Sequence, residues 1–253
     1  MLNLSLLVIL ALGFGIGASL GLLGGGGSIL TVPALVYIVG QSPQAAIATS
    51  LAIVGANSGL GAWFHLQQGT LKWKVALLFG AAGMVAAYPA ATVSRHLPGG
   101  VLLVAFAGLM LVIGAVMLLR RDQETAGHSP RSWLGNIGGG LAVGALTGVL
   151  GVGGGFLIVP ALILLVGLPM KEAVGTSLAV IALNSAAALA GHWGDTLNWS
   201  LMLTFIAAGL AGTFSGARLA QYLPASRLRQ LFAVFVIVLG MYLLFDNLPK
   251  LLG

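Results

Sequence analysis

Residues 21–28 read Gly21-Leu22-Leu23-Gly24-Gly25-Gly26-Gly27-Ser28, and residues 148–155 read Gly148-Val149-Leu150-Gly151-Val152-Gly153-Gly154-Gly155. The second stretch lies 127 positions after the first (148 − 21 = 127), and the same shift carries Gly17 onto Gly144 and Pro33 onto Pro160. The correspondence continues downstream. Thr49-Ser50-Leu51-Ala52 falls on Thr176-Ser177-Leu178-Ala179, Asn57-Ser58 on Asn184-Ser185, and His65 on His192. After a slip of one residue, Trp73 and Pro98 fall on Trp199 and Pro224. So many matches at one spacing mark an internal duplication. Residues 1–121 form the first repeat, 133–253 the second, and the polar segment 122–132 between them reads as a linker.

Composition says what solvent the repeats face. Hydrophobic residues make up 58% of the 253 positions and charged residues 6%, against about 25% charged in soluble domains. Too few charges remain to cover a surface in contact with water, so the chain reads as an all-α integral membrane protein, multi-pass in the cell (inner) membrane. The net charge of +6 is no nucleic-acid signal, because the basic residues sit at the ends of apolar spans. The absence of cysteine excludes disulfides and thiolate chemistry. An apolar N-terminus can be a cleaved signal, but this one lacks a basic leader and its Gly-rich end recurs in mid-chain, so it is expected to belong to the fold.

Apolar runs of about 20 residues, the length of a transmembrane helix, extend from Leu4 to Leu23, Ala45 to His65, Lys74 to Ser94 and Val101 to Leu119. The second repeat supplies Trp133 to Leu150, Ala173 to Trp193, Ser200 to Tyr222 and Leu228 to Phe245. Between the first and second run of each set lies a shorter apolar stretch, Ser28 to Val39 and Gly155 to Val166, opened by glycines and carrying one proline. Twelve helical residues rise ~18 Å and four extended residues add ~13 Å, close to the ~30 Å of the hydrocarbon core.

The basic residues test whether those short stretches cross. If they do, each half makes five crossings; Lys72, Lys74, Arg120, Arg121, Arg131, Lys171, Arg218, Arg227 and Arg229 share one side, with Arg95 and Lys250 opposite. If they do not, the basic residues divide six against five. Cytoplasmic ends are enriched in Lys and Arg, so the first arrangement is expected. It gives two inverted repeats, eight long transmembrane helices plus two short glycine-opened half-helices, with the linker cytoplasmic and both termini outside.

Two features carry chemistry. Gly24, Gly25, Gly26, Gly27 and Ser28, with the copies Gly151, Gly153, Gly154 and Gly155, open short helices whose first N–H groups and positive dipole end favour an anion. Interrupted helices at matching positions of two halves point to a transporter's site. The plain alternative is that glycines let helices pack closely, and it is preferred for scattered residues such as Gly80 and Gly108. The second feature is a polar stripe on the following helix: Thr49, Ser50 and Asn57, repeated as Thr176, Ser177 and Asn184, where Ser50 and Asn57 stand seven apart and share a face. Neutral donors of this kind hold an anion's oxygens, or tie helices together. His65 and His192 lie near helix ends and read as interface anchors rather than proton carriers. Arg218 is the basic residue set deepest inside an apolar span; snorkelling to the cytoplasmic surface accounts for it, and attraction of an anion is the alternative role.

No acidic residue lies in mid-span, which counts against a metal-cation carrier. There is no carboxylate pair, HExxH, GxSxG or P-loop either, so neither an enzyme nor a pump driven by ATP is expected, and no cofactor or metal.

With the two glycine clusters, Pro33 and Pro160, Thr49-Ser50-Leu51 and Thr176-Ser177-Leu178, and Asn57 and Asn184, the chain resembles the TauE/SafE group of sulfite and organosulfonate exporters along essentially its whole length. The resemblance implies a bacterial or archaeal permease with duplicated halves. It further implies transport of sulfite, sulfonates or similar small anions, here by alternating access as a secondary transporter. A non-transporting membrane subunit is the alternative. The expected partners are the small anion and membrane lipid, with no nucleic acid, and a homodimer is one option for the assembly.

Overall fold

The computed structural model describes residues 2–41, 43–94, 99–119, 133–150, 155–190 and 198–252. These residues are helical almost throughout, with no strand among them. The elements are α1 (Leu2–Leu23), α2 (Gly26–Pro33), α3 (Pro43–Gln67), α4 (Trp73–Ser94), α5 (Gly99–Leu119), α6 (Trp133–Leu150), α7 (Gly155–Ala161), α8 (Met170–Ala190), α9 (Trp199–Tyr222) and α10 (Ala225–Leu252). An apolar environment demands this economy, because a helix pairs its own N–H and C=O groups where no water can.

The short helices share a second peculiarity. A five-residue π-helical turn follows each, Ala34–Ile38 after α2 and Leu162–Val166 after α7. Pro33 and Pro160 stand at or one residue before the end of the α-helical part. Proline donates no N–H, and its ring crowds the carbonyl four residues back, so the ladder loosens just beyond it. The N–H of Val39 reaches back five residues to Ala34 O at 3.1 Å. From Gly26 to Ile38 the helix rises ~20 Å.

Glycine contacts fix how the long helices run. Gly13 of α1 faces Phe205 and Ala208 of α9, Gly17 faces Gly209, and Gly21 faces Thr213 and Ala217, so α1 and α9 point the same way. α6 and α4 do likewise, through Gly140 on Phe79 and Gly144 on Gly83. α3 also runs with α9: Asn57 meets Gly209, and Gly61 lies against Thr213. α3 and α8 are opposed, with Gly55 against Ser185, Gly61 against Leu178 and His65 against Gly175. α5 and α10 are opposed as well, with Gly114 on Ile237 and Gly240 on Met110.

Burial sorts inner from outer helices. The apolar windows of α3 and α8 are 56% buried, those of α1 and α10 33% and 28%. α3 and α8 therefore form the centre, and they hold eight of the ten buried polar residues among those described, the exceptions being Thr31 and Thr213. The periphery is apolar outward: Leu7, Val85, Val112, Leu119, Val238 and Phe245 are all exposed, a surface suited to hydrocarbon rather than water. Among the described residues five helices are long and apolar enough to cross a membrane: Leu6–Leu23, Ala45–Gln67, Met170–Leu189, Trp199–Tyr222 and Ala225–Asp246. Lys72, Lys171 and Glu172 gather at one end. There Lys72 pairs with Glu172 at 3.1 Å and the Lys171 ammonium donates to Gln221 O at 3.0 Å.

Candidate functional site

The first glycine cluster is a sharp corner between α1 and α2. Gly24 takes a left-handed φ of +76°, which a residue with a β-carbon adopts only at a cost, and its N–H caps α1 by donating to Leu20 O at 2.8 Å. Gly24 to Gly27 are all buried. A β-carbon on Gly27 would overlap Ile16 O of α1, one on Gly26 would lie 3.0 Å from Phe235 of α10, and one on Gly24 would lie 2.8 Å from Val174 Cα of α8. Walls from three helices thus close on bare backbone.

Two polar contacts join this corner to the second repeat. The buried Ser177 hydroxyl lies 2.7 Å from Gly24 O and 2.8 Å from Val174 O, and donates its one hydrogen between them. Ser28 of α2 touches Gly155 of α7 so closely that a β-carbon on Gly155 would overlap the Ser28 Oγ. Those two residues are repeat mates, so the openings of the short helices meet there. Ser28 Oγ itself donates to Gly25 O at 2.7 Å. Gly151, Gly153 and Gly154 lie outside the described residues. Ser177→Ala is expected to leave Gly24 O without its inter-repeat donor and to lower stability by about 1 kcal/mol; a thermal melt in detergent unchanged from wild type would contradict the link.

Along α3 the polar stripe faces inward, and several of its groups have no partner. Thr49 and Asn57 are both 0% exposed. The Thr49 hydroxyl, the Ser58 hydroxyl and both amide atoms of Asn57 have no hydrogen-bond partner among the described residues. Ser50, by contrast, donates to Ile47 O at 2.8 Å. In α8, Thr176 accepts the Lys72 N–H at 3.2 Å, and the half-buried Asn184 has an unpartnered Oδ1 facing Gly80 of α4. Asn57 is seated on Gly209, at the level where Gly17 meets the same residue. A buried amide lacking both bonds costs about 1–3 kcal/mol.

The structure therefore joins Gly24 with Ser177 and Ser28 with Gly155. It brings neither Asn57, which lies against Gly209 of α9, nor Asn184, whose Oδ1 faces Gly80 of α4, into those contacts. Arg218 is exposed on the outer face of α9, its guanidinium 6.0 Å from the Phe214 ring centroid, a cation–π distance. His65 departs from the interface-anchor expectation: it is 3% exposed, because Gly175 lacks the side chain that would otherwise occupy the place of its ring. Gly175, Gly209 and Thr213, which donates to Gly17 O at 3.1 Å, were not singled out by the sequence. The spacing of Gly13, Gly17 and Gly21, four apart and matched by Gly212 and Gly216, was the available signal, since small residues at that interval let membrane helices approach closely. Among the described residues no three His, Asp or Glu side chains cluster as metal ligands.

Polar groups held on inner helices inside an apolar shell of spanning length define a class, the multi-pass membrane protein. The family model for the sulfite exporter TauE/SafE matches residues 9–243, and the chain belongs to that family. It is 35% identical over 261 residues to a probable membrane transporter protein of Xylella fastidiosa, covering 98% of each chain. Similarity extends to the probable membrane transporter protein YunE of Bacillus subtilis, 28% identical with 97% of this chain and 99% of that one covered. A probable membrane transporter protein of Methanocaldococcus jannaschii is 25% identical, with 96% of each covered. No solved structure matches the chain.

Proposed function

We propose that this protein is a secondary transporter of small anions, sulfite or organosulfonates, that works by alternating access between two inverted repeats. The observation that carries the reading is the meeting of the two short helices at Ser28 and Gly155, which brings two positive helix ends to one place inside the bundle. In this reading the anion sits against the N–H groups that open α2 and α7, and Thr49, Asn57 and Asn184 supply neutral donors as it passes. Thr176 and Ser177 hold the loops at Lys72 and Gly24 in shape, Ser50 bonds within α3, and Arg218 lies at the cytoplasmic rim.

Inversion is supported by the helix directions. α1 runs with α9, α9 with α3, and α3 against α8. α8 runs with α4, since Lys72 meets Thr176 and Gly80 meets Val180. α4 runs with α6, so α1 and its copy α6 point in opposite directions. The family name supports a sulfur oxyanion as substrate. The close packing of Gly24, Gly26 and Gly27 favours the second reading, a non-transporting subunit in which the glycines serve packing alone.

Uptake of labelled sulfite, sulfoacetate and chloride into proteoliposomes separates the two. Transport predicts accumulation of sulfite or sulfoacetate in excess of empty vesicles and its loss in Gly26→Leu. Movement of no anion would sink the proposal.

A further inference from the structure

The outward face of α9 ends in a stripe of unlike side chains. Phe214, Arg218 and Tyr222 follow one another at four-residue intervals, so they stand one above the next on the helix, and all three are exposed. Toward the middle of the helix the same face continues with Ala211 and Ala207, also exposed. The guanidinium of Arg218 lies 6.0 Å from the Phe214 ring centroid. Phe214 in turn stands edge-on to Phe64 of α3, with 4.9 Å between centroids, and Phe64 stands edge-on to Trp63 at 6.1 Å. A chain of rings running from α3 to α9 thus ends beside the guanidinium.

Charge at this end is unbalanced. Lys72, Lys74, Lys171, Arg218, Arg227 and Arg229 gather there against one acid among the described residues, Glu172, which Lys72 already engages at 3.1 Å. Arg218 has no acidic partner among the described residues. It also faces outward, onto the surface where Phe214, Leu219 and Tyr222 meet the surroundings. A cation at the edge of an apolar span is costly unless an anion answers it, and on this side of the helix the anion has to come from lipid.

We propose that Arg218 and Tyr222 bind the phosphate of one anionic phospholipid. The guanidinium fork donates two N–H bonds to phosphate oxygens, a geometry that arginine matches and lysine does not, and the Tyr222 hydroxyl donates a third. One acyl chain lies along Ala211 and Ala207, where no side chain larger than a methyl group stands in its way, with Phe214 at its upper end. The anionic class is favoured over the zwitterionic one because a choline or ethanolamine ammonium would add a like charge to a rim already in cationic excess, whereas a glycerol headgroup adds none. The site does not depend on which solute the protein carries, or on whether it carries one.

The test uses the full-length protein, stripped of lipid in detergent and titrated with phosphatidylglycerol or phosphatidylcholine of the same acyl chains. Native mass spectrometry counts the bound lipid, and a thermal melt follows stability. One phosphatidylglycerol should bind in preference to phosphatidylcholine and raise the melting temperature. Arg218→Gln should weaken that binding about tenfold or more, and Tyr222→Phe should weaken it less. Lys74→Gln serves as the control: Lys74 is exposed at the same end but opens α4, which packs against α6 and α8, and its loss should leave the affinity as in wild type. Because Arg218 is exposed without an acidic partner among the described residues, the lipid-free melt of Arg218→Gln should match wild type, which separates lost binding from lost fold. Equal binding of the two lipids or full affinity in Arg218→Gln overturns the proposal. So does an equal loss in Lys74→Gln, the mark of diffuse attraction to the rim, or equal stabilisation by soluble glycerol phosphate, which has no acyl chain.

Discussion

Asn57→Leu is expected to abolish anion uptake while leaving the protein as stable as before, or more so. The two side chains have similar volume, and Asn57 is wholly buried with neither amide atom bonded among the described residues. Replacing it with an apolar group of the same shape removes a desolvation cost of about 1–3 kcal/mol. Two lost hydrogen bonds to an anion, at about 1.5–3 kcal/mol each, correspond to a fall in transport on the order of 100-fold or more. A purely structural asparagine would give the opposite pattern, a lower melting temperature with transport reduced only in proportion to folded protein. Melting in detergent and sulfite uptake at matched protein content, measured together, decide between them.

The largest effect on the fold is expected from Gly17→Leu. A β-carbon at Gly17 would lie 2.7 Å from Gly209 C and Cα and closer still to its carbonyl oxygen. Backbone cannot rotate aside as a side chain can, so α1 and α9 must part. The Thr213 bond to Gly17 O and the seat of Asn57 on Gly209 are lost with the contact. Overpacking of this kind costs about 3 kcal/mol or more. The expected result is loss of the monodisperse peak on size exclusion and of thermal stability. Gly15→Ala serves as the control, since nothing lies within 4 Å of a β-carbon there. If Gly17→Leu melts with wild type, the close α1–α9 contact is wrong.

What could be read in the sequence follows from the range over which each feature is determined. Lipid sets composition locally, so the apolar runs lie where the long helices are; their bounds differ by three residues or fewer except at the end of α10, which extends to Leu252 instead of Phe245, and the expected end at Trp193 lies outside the described residues. The short helices were legible for the same reason, the run of glycines before Ser28 and before Gly155 being a local break. Their π turns were not, although Pro33 and Pro160 were in view, because where the loosened ladder settles depends on packing around it. Gly209 and Gly175 stayed hidden for a different reason. Each matters through a residue of the other repeat, Asn57 and His65, and which helix meets which across the duplication is written in no single stretch. The exposure of Arg218 follows from the same pattern: Gly209, Gly212, Gly216 and Ala220 mark the buried stripe of α9, and residue 218 falls on the far side of it, in keeping with snorkelling.

The seat of His65 bears on the symmetry of the whole. Gly175, which admits the ring, has Ala48 as its counterpart 127 positions earlier (175 − 127 = 48), so the copy carries a β-carbon where the original has none. A ring cannot approach Ala48 as His65 approaches Gly175. The duplication is therefore inexact at this seat, and the glycine that admits the His65 ring has no equivalent at the matching position of the first repeat. In the alternating-access reading proposed above, ends that latch unequally are occupied unequally.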